Sequence, residues 1–183
     1  AKNAEHILTE QIEKGRSELE YIDSVLDTVS RAESERELAQ IREELTEQGY
    51  LRKQKGKQRP QAALPPLEFT SSDGFKILVG RNNTQNDKLT LKIANKNDMW
   101  LHTKDIHGSH TVVFAEGREI SDTAILEAAQ LAAYYSKARE SSQVPVDYTL
   151  VRYVSKPSGA RPGMVIYVNN KTVYVTPKAN ISE

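Results

Sequence analysis

Leu8, Ile12, Leu19, Ile22, Leu26 and Val29, with Gly15 in the slot between Ile12 and Leu19, recur in steps of 4, 3, 4, 3, 4 and 3. That is the heptad seam of a coiled coil, and it commits the opening of the chain to helix. Leu38, Ile41 and Leu45 continue the pattern. Between the two runs, Ser30 with Glu33 and Ser34 with Glu37 offer two capping boxes, in which a hydroxyl and a carboxylate satisfy the free amides of a helix start. Gly49 suits the position just past a helix end, where a left-handed residue closes the last turn. The expectation is an antiparallel coiled-coil hairpin over residues 1–51, turning near 30–34. At ~1.5 Å per residue the first helix is about 42 Å long and the second about half that. Leu8 and Ile12 then lack a partner within the hairpin. Either an upstream segment supplies one or two copies self-associate. The chain starts at Ala1 without methionine and reads as a fragment of a longer protein.

The net charge of zero conceals a partition. Residues 1–50 carry 6 Lys and Arg against 13 Asp and Glu; residues 51–60 carry five bases and no acid; residues 61–183 carry 14 bases and 12 acids. A basic stretch at a boundary is a candidate phosphate contact, and equally an ordinary solvated linker. Pro60, Pro65 and Pro66 complete this linker over 52–66. No apolar run approaches the ~20 residues that span a bilayer, and no signal-peptide pattern opens the chain, so no membrane insertion is expected. The chain has no cysteine, which excludes disulfides and thiol chemistry and agrees with a cytoplasmic location.

Past the prolines the texture changes to short β-type runs at 67–70, 75–79, 99–102, 111–115, 148–154, 165–168 and 172–176. Ser71-Ser72-Asp73-Gly74 reads as the turn of the first hairpin, and Asn169-Asn170-Lys171 as that of the last. One helix is expected from about 85 to 94, with Thr84 as N-cap and Leu89 and Ile93 inside. Another is expected from 122 to about 140 behind the cap Ser121, its alanines 124, 128, 129, 132 and 133 permitting close packing on a sheet. Lys137 and Arg139 would sit in its last turn and complement the dipole. The predicted class is α+β: a helical hairpin followed, over 67–183, by a compact mixed α/β domain with a mainly antiparallel sheet.

Three segments concentrate polar groups that a core does not need. Gly80-Arg81-Asn82-Asn83-Thr84-Gln85-Asn86-Asp87 joins a strand to a helix N-terminus, whose amides favour phosphate, although Asn and Asp also serve ordinary turns and caps. In segment 100–110, alternation puts Trp100, His102 and Lys104 on one face, a stacking platform for unpaired bases. Competing readings are a metal site of His102, Asp105, His107 and His110, a Ser109 nucleophile with a His–Asp pair, and a core tryptophan beside a histidine-capped turn. The spacing of the histidines matches no helix-based metal motif, and Ser109 lacks a nucleophile-elbow context. The third segment, 155–163, is a rigid loop in which the Gly159 amide with Lys156 and Arg161 could hold a phosphate; it is not a P-loop.

In order, Val79-Gly80-Arg81-Asn82-Asn83, Gln85-Asn86-Asp87 with Leu89-Thr90, Asp98 with Trp100-Leu101-His102, Lys104-Asp105 with Gly108-Ser109-His110, and Lys156-Pro157-Ser158-Gly159 with Arg161-Pro162-Gly163-Met164-Val165 resemble the NFACT-R domain. That domain ends the RqcH-type ribosome quality-control factors, long called fibronectin-binding proteins in Gram-positive bacteria. The preceding hairpin, with its Glu43-Glu44-Leu45 and Gly49-Tyr50-Leu51 ending, is similar to the family's middle coiled-coil region. The family often has proline at the position of His107, and this departure admits a looser turn or a pH-sensitive contact there.

The resemblance implies a binding factor rather than an enzyme, with no cofactor and no bound metal. Its implied partners are tRNA and the RNA of a large ribosomal subunit obstructed by peptidyl-tRNA, with the stalk base reached through the coiled coil. The implied outcome is extension of the stalled chain with a template-free C-terminal alanine tail. Combined with the residue chemistry, Arg81, Lys104, Lys156 and Arg161 are expected to neutralise phosphates, and Asn82, Asn83 and Asn86 to bond sugars, bases or their own loop. Trp100 and His102 would stack or support the platform, with Ser109 and His110 in the same surface. Asp87, Asp105, Gly108, Gly159 and Gly163 would shape the loops. The competing reading, from the older family name, is a fibronectin- or fibrinogen-binding adhesin at the cell surface.

Overall fold

The computed structural model describes residues 2–53 and 63–180; Lys55, Lys57, Arg59 and Pro60 of the basic linker lie outside the described residues. Helix α1 (Lys2–Arg31) and helix α2 (Glu35–Glu47) form the hairpin. Of the two candidate capping boxes, Ser34 with Glu37 starts α2: the Ser34 hydroxyl accepts from Glu37 N at 3.2 Å, and Glu37 Oε2 accepts from Glu33 N at 3.2 Å. Ser30 instead donates to Asp27 O within α1. Gly49 ends α2 with φ 85°, and Tyr50 N reaches back to Leu45 O while Gly49 N bonds Thr46 O, a complete Schellman closure.

The expected seam is not the face that α2 covers. Leu8, Ile12, Leu19 and Leu26 are exposed, and the hairpin closes on Tyr21 and Val25 against Ile41, with Ile22, Ala32, Leu45 and Met164 around them. The contact face of α1 is centred on Tyr21 and Val25, beside the heptad stripe and sharing Ile22 with it, and Met164 of the following domain packs there too. That domain shares the interface, while Leu8, Ile12, Leu19, Leu26 and Val29 of the seam stay exposed among the described residues. No helix among them is long and apolar enough to cross a membrane.

Eight strands follow among the described residues: β1 (Leu67–Thr70), β2 (Lys76–Val79), β3 (Met99–Thr103), β4 (Thr111–Val113), β5 (Val144–Leu150), β6 (Val154–Ser155), β7 (Ile166–Tyr167) and β8 (Lys171–Val175). Six make one antiparallel sheet in the order β1-β2-β4-β3-β5-β8, while β6 and β7 pair with each other. Strand alternation sorts the side chains. Ile77, Val79, Leu101, Val113, Val144 and Val146 face helix α4 (Asp122–Tyr134), whose Ala124, Ala128, Ala129, Ala132 and Ala133 are fully buried against them. Leu78, Trp100 and Val112 face the other way, into a second core with Leu89, Phe114, Val151 and Val154.

Four elements depart from the sequence reading. The helix after β2 is α3 (Asn83–Lys88), and its N-cap is Asn82, not Thr84: Asn82 Oδ1 accepts from Gln85 N at 2.8 Å. It runs on as a π-helical turn (Leu89–Ile93), with Ala94 N bonded to Leu89 O; the wider turn buries Leu89 and Thr90 but leaves Ile93 outside. Helix α4 stops at Tyr134, and Arg139 folds back from beyond it, its Nε donating to Tyr134 O at 2.7 Å, so the cation still meets the negative helix end. The predicted strand 148–154 covers the end of a longer β5, a 3-10 turn (Val151–Tyr153) and the first residue of β6. Asn169, with φ 57°, carries the chain from the small sheet back to the large one rather than closing a hairpin, since β7 pairs with β6 and β8 with β5.

Gly80 is pinned by proximity, not by its dihedral. Its N–H donates to His110 O, and a Cβ there would meet Asn86 Oδ1 at 1.9 Å, the same oxygen that accepts from His110 N. Gly80→Ala should therefore lower unfolding stability by roughly 1–3 kcal/mol. Urea titration measures it, and a loss below about 0.5 kcal/mol would mean that Asn86 moves aside freely.

Candidate nucleic-acid interface

The three polar segments meet, and the first and third of them also meet the helical hairpin. Arg81 Nη1 pairs with Glu37 Oε1 of α2 at 2.7 Å, and its Nε donates to Pro65 O at 2.7 Å. Asn83 Nδ2 donates to Ser24 Oγ of α1 at 3.0 Å. The free amide at the start of α3, expected to suit phosphate, already holds an anion: Glu44 Oε1 of α2 accepts from Thr84 N at 2.7 Å and Thr84 Oγ1 at 3.0 Å. The other oxygen of Glu44 accepts from Tyr21 OH at 2.6 Å. Burial, then that bond and the carboxylate charge, push the Tyr21 phenol up, so it stays a donor. Arg161 Nη1 donates to Gln48 O and Oε1 at 3.1 and 3.0 Å, at the carbonyl end of α2, and its guanidinium lies 5.1 Å from the centre of the Tyr50 ring. Arg161 also reaches Glu18 of α1 at 3.5 Å.

Lys156 is bound inside the domain, to Asp87 Oδ2 at 2.6 Å. Asp87 Oδ1 takes the N–H of Gly163, so this carboxylate ties the start of α3 to the third loop. The sequence shows no acid near Lys156 or Arg161; the fold brings Asp87, 69 residues away, and Glu18, 143 residues away. Of the four cations assigned to phosphates, only Lys104 stands exposed with no ion pair among the described residues.

The expected stacking platform is a buried cluster. Trp100 is 1% exposed, stacked on His102 with ring centroids 5.7 Å apart and 4° between planes, edge-on to His110 at 5.3 Å and against Tyr167 at 4.7 Å. The layer of α3 and the β6–β7 excursion covers it, so its ring offers no face to a base. Asn82, Asn83, Asn86, Ser109 and His110 are likewise buried, and their polar atoms serve this protein's own backbone and hairpin. His102 and His110 meet as rings packed at right angles, centroids 5.7 Å apart, not as lone pairs converging on one point. The Asp147 carboxylate accepts from Tyr167 OH and Thr172 Oγ1, both at 2.6 Å.

The loop-shaping residues act by different means. Asp105, with φ 53°, takes the left-handed position of the turn after β3. Gly108 bridges to Ser136, where a Cβ would stand 2.9 Å from Ser136 Cβ and from Thr103 Oγ1. Gly163, with φ 81°, lies under Asn83, whose Oδ1 a Cβ would approach to 2.4 Å. Gly159 turns in open space with φ 77°. His107 is half-buried and its carbonyl accepts from Lys137 N.

The hairpin's contributors, Tyr21, Ser24, Glu37, Glu44 and Gln48, were missed from sequence. One signal was present: Glu44 follows Ile41 by three residues and precedes Leu45, so it lies on the apolar face of α2. A carboxylate there needs donors.

These contacts describe a sheet domain mounted on an acidic helical arm. Two family models match the chain, the NFACT protein RNA binding domain over residues 66–169 and the NFACT N-terminal and middle domains over residues 1–63. The chain belongs to the NFACT family. It is 49% identical over 183 residues to the Rqc2 homolog RqcH of Bacillus subtilis (strain 168), covering 98% of this chain and 32% of that protein. To the Rqc2 homolog RqcH of Streptococcus suis (strain 05ZYH33) it is 45% identical over 177 residues, covering 96% and 32%. It thus spans about a third of the length of these relatives. The solved C-terminal part of the fibronectin/fibrinogen-binding protein from Streptococcus suis superposes with a TM-score of 0.91 at 43% identity, over 97% of this chain and 70% of that one.

Two outcomes follow. Glu44→Ala removes the acceptor of the buried Tyr21 hydroxyl and of Thr84, and should cost about 3 kcal/mol in chemical unfolding. Amide exchange should rise at 83–86 and along α2; unchanged exchange would show that the arm is held by other contacts. His110 supplies the second. The Gly163 carbonyl can only accept from Nε2, at 3.2 Å; burial keeps the ring neutral, and Nδ1 then accepts from Thr90 Oγ1, at 2.8 Å. Burial, reinforced by His102, drives its pKa from the ordinary 6.5 down to about 3. The unfolded chain takes the proton first, so the stability is intact above pH 6.5 and is lost as pH falls from there towards 3. Urea midpoints measured from pH 7.5 to 4 should fall, and His110→Gln should flatten the slope; an equally steep variant would overturn the assignment.

Proposed function

We propose that this chain is the RNA-binding end, with the adjoining arm, of a factor in ribosome-associated quality control. In this reading it engages tRNA and the RNA of an obstructed large ribosomal subunit, and helps template-free addition of a C-terminal alanine tail to the stalled chain. The family match to an RNA-binding domain over residues 66–169 carries the proposal. The joint supports it physically. Ion pairs and hydrogen bonds from both helices, with Glu44 at their centre, hold the arm on the domain, so an RNA bound to the domain and a ribosomal surface touched by the arm would keep a defined geometry. The role is binding and positioning, not bond-making, and places the protein in the cytoplasm. Within this role the exposed Lys104 remains a candidate phosphate contact, and the arm a candidate contact for the stalk base.

The competing reading takes the fibronectin/fibrinogen-binding name of the Streptococcus suis neighbour as the activity here. One preparation measured against both ligands at physiological salt separates the two. Filter binding should show saturable, salt-sensitive retention of bulk tRNA, while immobilised fibronectin should retain no more than a serum-albumin control. Fibronectin binding without tRNA binding would reverse the assignment.

A further inference from the structure

The cations that the sequence pointed to are mostly engaged at the joint or inside the domain, so the RNA-binding reading needs another surface. Residues 88–97 and 148–182 contain eight of the 14 Lys and Arg of residues 61–183 and none of their 12 Asp and Glu. The fold brings the first stretch together with residues 151–167 of the second. Leu89 and Ala94 pack with Val151, Val154, Val165 and Tyr167 over Trp100 and Val112 and build the layer on one face of the sheet, while Lys171 and Lys178 lie outside it, Lys178 N bonding Gln130 O of α4. The opposite face carries α4, with Asp122 and Glu127 on the helix and Glu116, Glu119 and Glu140 beside it.

We propose that the RNA contact of this domain is the outer surface of the layer over Trp100, formed by Lys88, Lys92, Lys96 and Arg152 with the ring of Tyr153. The three lysines are exposed and make no ion pair among the described residues. They recur at every fourth residue along α3, the π turn and the loop beyond, while Leu89 and Thr90 anchor that segment in the core. Arg152 is held in place: its Nε and backbone N both donate to Lys96 O, and its Nη2 to Asn97 Oδ1. Tyr153, 37% exposed, follows directly and offers a ring for a base to stack on. A run of unpaired cations with no intervening carboxylate, beside an exposed aromatic and exposed asparagines, suits a phosphodiester backbone. Lys156, neutralised by Asp87, and Arg161, engaged by the arm, flank this surface without belonging to it.

This inference rests on the RNA-binding reading above, and the test keeps the two apart. Two charge-matched variants of the 183-residue chain are compared with the wild type: K88E/K92E/K96E on the proposed surface, and K137E/K171E/K178E elsewhere. Bulk deacylated tRNA is titrated by filter binding between 50 and 200 mM KCl, with thermal melting confirming folding. The first variant should bind more than about tenfold more weakly, with a salt slope shallower by roughly 2–3, while the second should stay within about threefold of wild type. Wild-type affinity in the first variant, as an interface for an acidic protein would give, overturns the inference and leaves the RNA-binding reading standing. Equal loss in both variants also overturns it, since net charge alone would then explain the effect. No tRNA binding by the wild type defeats both. A supplementary Tyr153→Ala should weaken binding several-fold without changing the salt slope.

Discussion

The carboxylate of Glu44 is the point on which the arrangement of arm and domain depends. It lies 3% exposed, with three hydrogen bonds from two different elements: the Tyr21 hydroxyl of α1, and the amide and hydroxyl of Thr84 at the start of α3. A buried carboxylate without donors would be strongly unfavourable, and here the donors come from two distant parts of the chain, Tyr21 and Thr84. Its satisfaction therefore requires α1, α2 and α3 to be in their observed places together. Arg81 with Glu37 and Arg161 with the end of α2 bracket it on either side, partly screened from solvent. Such pairs add orientation more than stability, because desolvation offsets much of their attraction.

This joint gives the charge partition a structural meaning. The acidic arm meets the basic ends of loops 80–87 and 155–163, where Glu37 pairs with Arg81 and Glu18 with Arg161. Among the cations left free on the described part of the domain, Lys88, Lys92 and Lys96 lie together on the layer that covers Trp100. The packing of that layer depends in turn on the aromatic cluster beneath it, in which His110 fixes the third loop through Gly163 and the π turn through Thr90. One neutral imidazole thus connects the buried face of the domain to the loop that grips the arm. Protonation at Nδ1 would remove the lone pair that accepts from Thr90 and place a charge in a buried site, while the bond to Gly163 O would remain.

Much of the fold was legible. Heptad spacing, the Ser34–Glu37 box and Gly49 gave the hairpin and its turn, because helix ends are governed by local hydrogen bonding. Strand β1 was found at its limits and five others within two residues, since alternation and flanking turn residues are local too. The failures were equally physical. Thr84 looked like a cap, yet Asn82, two residues earlier, took the position because its side chain reaches Gln85 N. The last two strands looked like a hairpin, but each had a better partner elsewhere in the sheet. The candidate site was legible as a set of segments and not as a set of roles. Trp100, Asn86 and His110 were rightly singled out as unusual, while their burial depends on strands and loops that no local pattern orders.

The sequence by itself determined the helical arm, the α+β class, the alanine-faced helix on its sheet and the family resemblance. Each rests on periodicity, capping or ordered motifs within a short stretch of chain. Only the tertiary structure decided which cations are free. Whether a lysine or arginine can meet a phosphate depends on the carboxylate that folding brings beside it, and here those partners lie 44 to 143 residues away. Charge pairing is a matter of distance in space, and distance along the chain carries almost none of that information.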